Sequence, residues 1–226
     1  MSTSLLAKAA SLGRKLLRGA NPALAGCFQP YSYTRPDRYP WLFEFVRAQL
    51  GAERPLHLLS FGCSRGDEVF TLQRYFPHAA IRGVDVNPHN IAHCRRRAAA
   101  HERAALSFAT AADSRAEPSA LYDAIFCLAV LCCGDLTVNH ATCSAPRLLF
   151  SDFERVVTDL ARCLKPGGLL LLHTANFRFS DTAAAAQFEP MLHATSEQMA
   201  PDLLYGRDNM LLEGQRYTAV AFRKQH

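Results

Sequence analysis

The residues best placed to do chemistry stand together in Leu56-His-Leu-Leu-Ser-Phe-Gly62-Cys-Ser-Arg-Gly66-Asp-Glu68. An apolar run enters a short loop holding two glycines and a serine, and a helix-forming stretch follows. Glycine at both ends of the loop admits backbone angles closed to other residues and lets a ligand approach the chain. The helix start offers unpaired N–H donors, and Asp67 and Glu68 set negative charge beside them. That pairing suits a ligand with both a carboxylate and a cationic group. A pyrophosphate would call for nearby Lys or Arg instead. The Gly-x-x-x-Gly spacing fits neither the GxGxxG dinucleotide fingerprint nor the phosphate loop, whose lysine is missing. Phe61, Gly62, Cys63, Ser64, Gly66 and Glu68 are therefore the first candidate ligand contacts.

A second acid stands in Arg82-Gly-Val-Asp85-Val-Asn87-Pro88, at the end of the next apolar run. In a doubly wound sheet this position faces the ligand cleft, where a carboxylate accepts hydrogen bonds from both ribose hydroxyls of an adenosyl group. The competing role for Asp85 is to cap the helix that starts near Pro88. Val86 and Asn87 would flank the same ligand. Ala112-Asp113-Ser114 follows a weaker strand. There Asp113 would accept from an adenine amino group while backbone near Ala112 reads the ring edge, unless it merely shapes a turn.

The elements that must position these residues alternate along the chain. Strands are predicted at 56–61, 81–84, 106–109, 124–131 and 169–172, and helices at 41–50, 66–76, 88–103 and 151–164. Near-uniform apolar strands in repeated βα units imply an α/β fold with a parallel sheet covered on both faces. Residues 217–222 read as a final strand and 191–194 as a weaker one, since Pro190 weakens its start.

Composition narrows the function classes. The 226 residues are 49% hydrophobic, enough for a self-sufficient core. The longest apolar run, Ala124 to Cys133, is too short to span a bilayer. No N-terminal stretch combines a continuous apolar segment with a small-residue cleavage site, so secretion is not expected. Eight cysteines at 27, 63, 94, 127, 132, 133, 143 and 163 form no CxxC pair or zinc-ligand cluster, so no metal is expected and a reducing cytoplasmic setting is. Residues 1–38 carry six basic side chains and one acid, whereas the rest balances at 19 of each sign. The main body is thus not a basic nucleic-acid-binding domain. Residues 4–18 read as an amphipathic helix, either a membrane-surface or targeting segment or an appendage packed on the domain.

Together these segments resemble the class I S-adenosylmethionine-dependent methyltransferase family. Gly62-Cys-Ser-x-Gly66-x-Glu68 is similar to the glycine motif of the chemotaxis-receptor glutamate methyltransferases and small bacterial relatives. Gly83-Val-Asp85-Val-Asn87 resembles the ribose-binding motif. Tyr122-Asp-Ala-Ile-Phe-Cys-Leu128 resembles the strand lining the methyl donor, and Leu164-Lys-Pro-Gly-Gly168 the turn before the fifth strand. The loop departs from the commoner pattern in lacking a central glycine. The resemblance implies S-adenosyl-L-methionine as cofactor, its methionine end wrapped by the loop backbone. It further implies a doubly wound Rossmann-like sheet of seven strands, order 3-2-1-4-5-7-6 with the last antiparallel. Residues 1–50 would form an N-terminal helical cap and residues 51–226 the methyltransferase domain.

Methyl transfer from a sulfonium is an in-line displacement in which positioning dominates, with a base for a protonated acceptor. His140 is the first candidate base, with Asp135 orienting it, while His173 reads as a polar residue of the strand end. Asn176 and Arg178 are candidates to bind a polar or anionic acceptor. Tyr33, Arg38 and Tyr39, with Tyr31, would close over cofactor or acceptor. Arg95-Arg96-Arg97 reads as a solvated helix face, and no nucleic-acid partner is expected. The function expected is methylation of a small-molecule or carbohydrate hydroxyl or amine. The alternatives are protein carboxylate methylation or a non-catalytic cofactor-binding module.

Overall fold

The computed structural model describes residues 27–100, 105–200 and 202–225; the basic helix expected at 4–18 lies outside them. Helix α1 (Pro40–Leu50) precedes strand β1 (His57–Phe61), α2 (Asp67–Tyr75), β2 (Ala80–Asp85), α3 (Pro88–Ala99), β3 (Leu106–Thr110) and β4 (Tyr122–Leu128). A short helix α4 (Gly134–Val138), α5 (Phe150–Cys163), β5 (Leu164–His173), β6 (Phe188–His193) and β7 (Ala219–Lys224) complete the order. The seven strands lie in the order β3-β2-β1-β4-β5-β7-β6. Strands β1 to β5 pair in parallel, and β7 runs antiparallel to both β5 and β6.

Alternation of burial along the strands sends side chains to both faces, and each face is covered. One cluster packs Leu59, Ile125, Leu170 and Leu172 against Phe153, Val156, Val157 and Leu160 of α5. The i, i+3, i+4, i+7 spacing of those four helix residues is what commits α5 to that face. The other cluster packs Leu58, Ala124, Phe126 and Leu171 against Leu42, Phe43 and Val46 of α1 with residues of α2 and α3. Pro40 opens α1 at a position where its missing N–H costs nothing.

Three local expectations are refined. The turn foreseen at Gly167-Gly168 lies inside β5: the register jumps from Tyr122 opposite Leu164 to Ala124 opposite Leu169, and Gly167, at φ 76°, absorbs the extra residues. The weak strand near Met191 is a full edge strand, whose position tolerates Pro190 and shows register shifts beside it. The three arginines of α3 are not all solvated. Arg95 Nη2 donates to the Phe108 carbonyl at 2.9 Å, and Arg97 pairs with Asp67 at 2.7 Å while lying 4.0 Å over the Phe70 ring.

Candidate functional site

The carboxyl ends of β1, β2 and β4 and the extended segment 27–39 enclose a cavity. Its floor is the glycine loop. The N–H groups of Gly62 and Cys63 donate to the Val84 carbonyl at 2.7 and 2.9 Å, which ties the loop to the end of β2. Gly62 has φ 76°, and a Cβ there would stand 2.4 Å from Val130 Cγ2. Gly66 has φ 90° at the cap of α2, where a Cβ would meet Cys94 Sγ at 2.9 Å. Both positions therefore require glycine for conformation and for space. Gly66 shapes the loop without lining the cavity, whereas Phe61, Gly62, Cys63 and Ser64 line it.

Asp85 organises the upper wall. Its Oδ2 accepts from the Ser64 N–H at 2.8 Å, and its Oδ1 from the Asn87 N–H at 2.9 Å and Asn90 Nδ2 at 3.1 Å. Oδ1 is thereby saturated and Oδ2 keeps one lone pair for a ligand hydroxyl. The capping role weighed against Asp85 falls to its neighbour, since Asn87 caps α3 by accepting from the His89 N–H at 3.0 Å. Val86, Asn87, Ala112 and Leu128 also line the cavity. Asp113 does not: Arg115 grips its carboxylate at 2.7 Å and holds it below the usual carboxylate range.

Glu68 faces the cavity with Ser60 Oγ donating to its Oε1 at 2.7 Å. Burial pushes its carboxyl up to about 7, against the Ser60 hydrogen bond and the charge of Arg38, which both lower it. Arg38 lies opposite, 5.5 Å from the Tyr33 ring centroid and 5.0 Å from that of Tyr39. Among the described residues neither Glu68 nor Arg38 forms an ion pair. An acid and a guanidinium, neither engaged in an ion pair among the described residues, thus face the same cavity.

Several hydrogen bonds fasten the covering segment, three of them beside the cavity's upper wall and α4. Ser64 Oγ donates to the Ser32 carbonyl at 3.1 Å, Asn90 Nδ2 donates to Ser32 Oγ at 3.0 Å, and the Tyr31 hydroxyl donates to Asp135 Oδ1 at 2.6 Å. Tyr33, Arg38 and Tyr39 are brought to the cavity as expected from their clustering.

The structure does not bring the other acceptor-side candidates to this cavity. His140 is exposed, in a left-handed turn (φ 48°) after α4. Asp135 is engaged by Tyr31 rather than by a histidine. Asn176 is fully buried and used up in the scaffold: its Oδ1 accepts from the Cys133 N–H and its Nδ2 donates to the Leu203 carbonyl, each at 2.6 Å. Arg178 pairs with Asp181 at 2.7 Å and donates to Gln215 at 3.0 Å.

A second cavity, about 470 Å³, opens beyond the carboxyl end of β5 and is lined by His173, Thr174, Asp202, Arg216 and Tyr217 among others. Its signal in the sequence is the His173-Thr174 pair at the end of an apolar strand, which reads as an ordinary strand terminus. Asp202 stands in a stretch with no periodicity and gives no signal at all.

The family model described as "Methyltransferase domain" matches residues 59–170, about half of the chain. A fatty-acid O-methyltransferase of Mycolicibacterium smegmatis is 30% identical over 139 residues, which are 61% of this chain and 43% of that protein. The chain thus spans less than half the length of that curated relative. Among solved structures, the 4+2 cyclase SpnF aligns with a TM-score of 0.51 at 19% identity, covering 70% of this chain and 61% of that one. The phosphoethanolamine N-methyltransferase 2 of Haemonchus contortus aligns at 0.47 and 15%, covering 74% and 32%. The matched region runs from β1 through the first residues of the apolar half of β5 and so contains the glycine loop, Asp85 and the strand ending in Leu128. On that match and the observed strand order, the chain belongs to the class I S-adenosylmethionine-dependent methyltransferase family.

Proposed function

We propose that this chain binds S-adenosylmethionine in the first cavity and transfers its methyl group to a hydroxyl or amine of a small molecule, a carbohydrate among the candidates. The observation that carries the reading is an acid and a guanidinium, neither in an ion pair among the described residues, facing one cavity beside the glycine loop. Glu68 would take the ammonium of the methionine end and Arg38 its carboxylate, while the free lone pair of Asp85 Oδ2 accepts from a ribose hydroxyl. Backbone at Ala112 would border the adenine. When bound, the cofactor supplies an electrophilic methyl group on a sulfonium. The chain's own residues hold the donor, exclude water with the segment 27–39, and orient the acceptor within reach. The O-methyltransferase named among the relatives supports an oxygen acceptor on a small molecule.

No helix among the described residues is long and apolar enough to cross a membrane. The cysteine spacing, with no CxxC pair, supports the cytoplasm as the working compartment. Residues 1–50 are proposed as the cap of the domain 51–226, on the evidence that 27–39 covers the cavity.

Calorimetric titration with S-adenosylmethionine and with S-adenosylhomocysteine tests the reading. Micromolar binding is expected, weakened by roughly 10- to 150-fold in Asp85→Asn through loss of a charge-assisted hydrogen bond of about 1.5–3 kcal/mol. Absence of binding at millimolar ligand to a folded protein refutes it.

A further inference from the structure

The second cavity carries an acid and a guanidinium, Asp202 and Arg216, neither engaged in an ion pair among the described residues. At about 470 Å³ it falls within the size range of small-molecule sites, roughly 300–1,000 Å³. Leu172, Phe177, Met199, Leu204 and Val220 give it an apolar wall. Asp202 lines the same space, and its Oδ2 is buried with no hydrogen-bond partner among the described residues. The neighbouring Leu203 is fixed on both sides of its backbone: the N–H donates to Thr137 Oγ1 at 3.3 Å and the carbonyl accepts from Asn176 Nδ2 at 2.6 Å. Burial holds the Asp202 carboxyl above the ordinary aspartate range, against Thr137 and the charge of Arg38, which both lower it. An acid with a dry, open acceptor gains most from a ligand that brings a charged N–H donor.

Arg216 and Gln215 line the cavity from its exposed side. Arg178 Nη1 donates to Gln215 Oε1 at 3.0 Å, which fixes that amide and leaves its NH2 to serve another acceptor. A guanidinium and an amide NH2 on one rim offer their donors to a carboxylate. His173 adds no charge. Its Nε2 is paired with the Gln198 carbonyl at 2.9 Å and its Nδ1 with Thr174 Oγ1 at 2.8 Å, and burial lowers its pKa, so the ring is neutral at pH 7. The described lining therefore presents one acid, one cation and an apolar surface.

We propose that the second cavity binds a small zwitterion with an apolar side chain, an amino acid of the aromatic or branched kind, its ammonium donating to Asp202 Oδ2 and its carboxylate taken by Arg216 and Gln215. The apolar side chain lies against Leu172, Phe177 and Leu204. An amine without a carboxylate leaves Arg216 unanswered, and an acid without an ammonium leaves Asp202 so. The site is separate from the first cavity, with which it shares no lining residue, and the inference does not rest on the methyl-donor reading.

The test is calorimetric titration of the full chain with phenylalanine, leucine, phenethylamine and 3-phenylpropanoate, alone and with saturating S-adenosylhomocysteine. At least one of the two amino acids should bind with submillimolar Kd, and each single-ended probe should bind roughly tenfold or more weakly. Asp202→Asn, which keeps the side chain's shape, should weaken the bound amino acid by roughly 10- to 100-fold and leave phenylpropanoate as it was. Arg216→Gln should weaken the amino acid and leave phenethylamine as it was. S-adenosylhomocysteine should neither displace the amino acid nor bind differently to either variant. No binding of either amino acid at millimolar concentration, equal affinity for all probes, an unchanged Kd in Asp202→Asn, or displacement by S-adenosylhomocysteine would each overturn the proposal. Should S-adenosylhomocysteine itself fail to bind, the donor-site reading falls, and the second site is still judged by the probe series and the two variants.

Discussion

Glu68→Gln separates what the cavity does for ligand binding from what it costs the fold. A glutamate ordinarily ionises near 4.5, and burial moves Glu68 to about 7. Each pH unit of displacement corresponds to about 1.4 kcal/mol, so an ionised Glu68 disfavours the folded, ligand-free chain by about 3 kcal/mol at most. The sign follows from proton uptake. Between the two values the native state holds a proton that the unfolded state has released, so stability declines as pH rises from 4.5 toward 7 and stays lowered above it. Glutamine keeps an acceptor for Ser60 and cannot ionise. The variant should match the wild type in urea unfolding at pH 4.5 and exceed it by up to about 3 kcal/mol at pH 8, which is roughly 6–12 °C in Tm for a chain of this size. Affinity for S-adenosylmethionine should move the other way. Wild-type binding should strengthen as pH rises through 7, because only the carboxylate can pair with an ammonium, and the variant should lose both the strength and the pH dependence. Parallel stability-versus-pH curves for the two proteins, with equal affinity for the cofactor, would refute the reasoning.

Two further outcomes are expected. Gly62→Ala should destabilise by roughly 2–4 kcal/mol in chemical unfolding, from a Cβ at 2.4 Å from Val130 and an alanine at φ 76°; adding Val130→Ala should recover part of this loss, leaving the strain of the left-handed backbone. His140→Ala should leave stability within about 0.5 kcal/mol and turnover unchanged, since the side chain is exposed and lines neither cavity; a tenfold loss of turnover would return it to the role of base.

The first cavity was legible because local order encodes it. A strand, a glycine loop and a helix follow one another within thirteen residues, and the geometry of Gly62, Gly66 and Glu68 is a property of that stretch. Asp85 could be read because a parallel sheet brings the end of β2 beside the end of β1, whatever the intervening helix. The order of the seven strands was implied by the resemblance to a known family, since spacing alone predicts a parallel sheet and not its order. The second cavity was not legible, because it is assembled from residues such as 173, 174, 202 and 216, whose proximity exists only after folding. Asn176 illustrates the opposite error. A polar residue past a strand end looks available, but its amide is committed to Cys133 and Leu203, backbone partners that no spacing reveals. Asp113 was misread for the same reason, since the arginine two residues on takes its carboxylate.

The amide of Asn90 is shared between the Asp85 carboxylate and the hydroxyl of Ser32. Each hydrogen of that amide serves one of the two, so the carboxylate and the covering segment are braced through a single side chain. A hydroxyl taking the open lone pair of Oδ2 leaves both bonds in place, and trimming Asn90 would loosen wall and cover together.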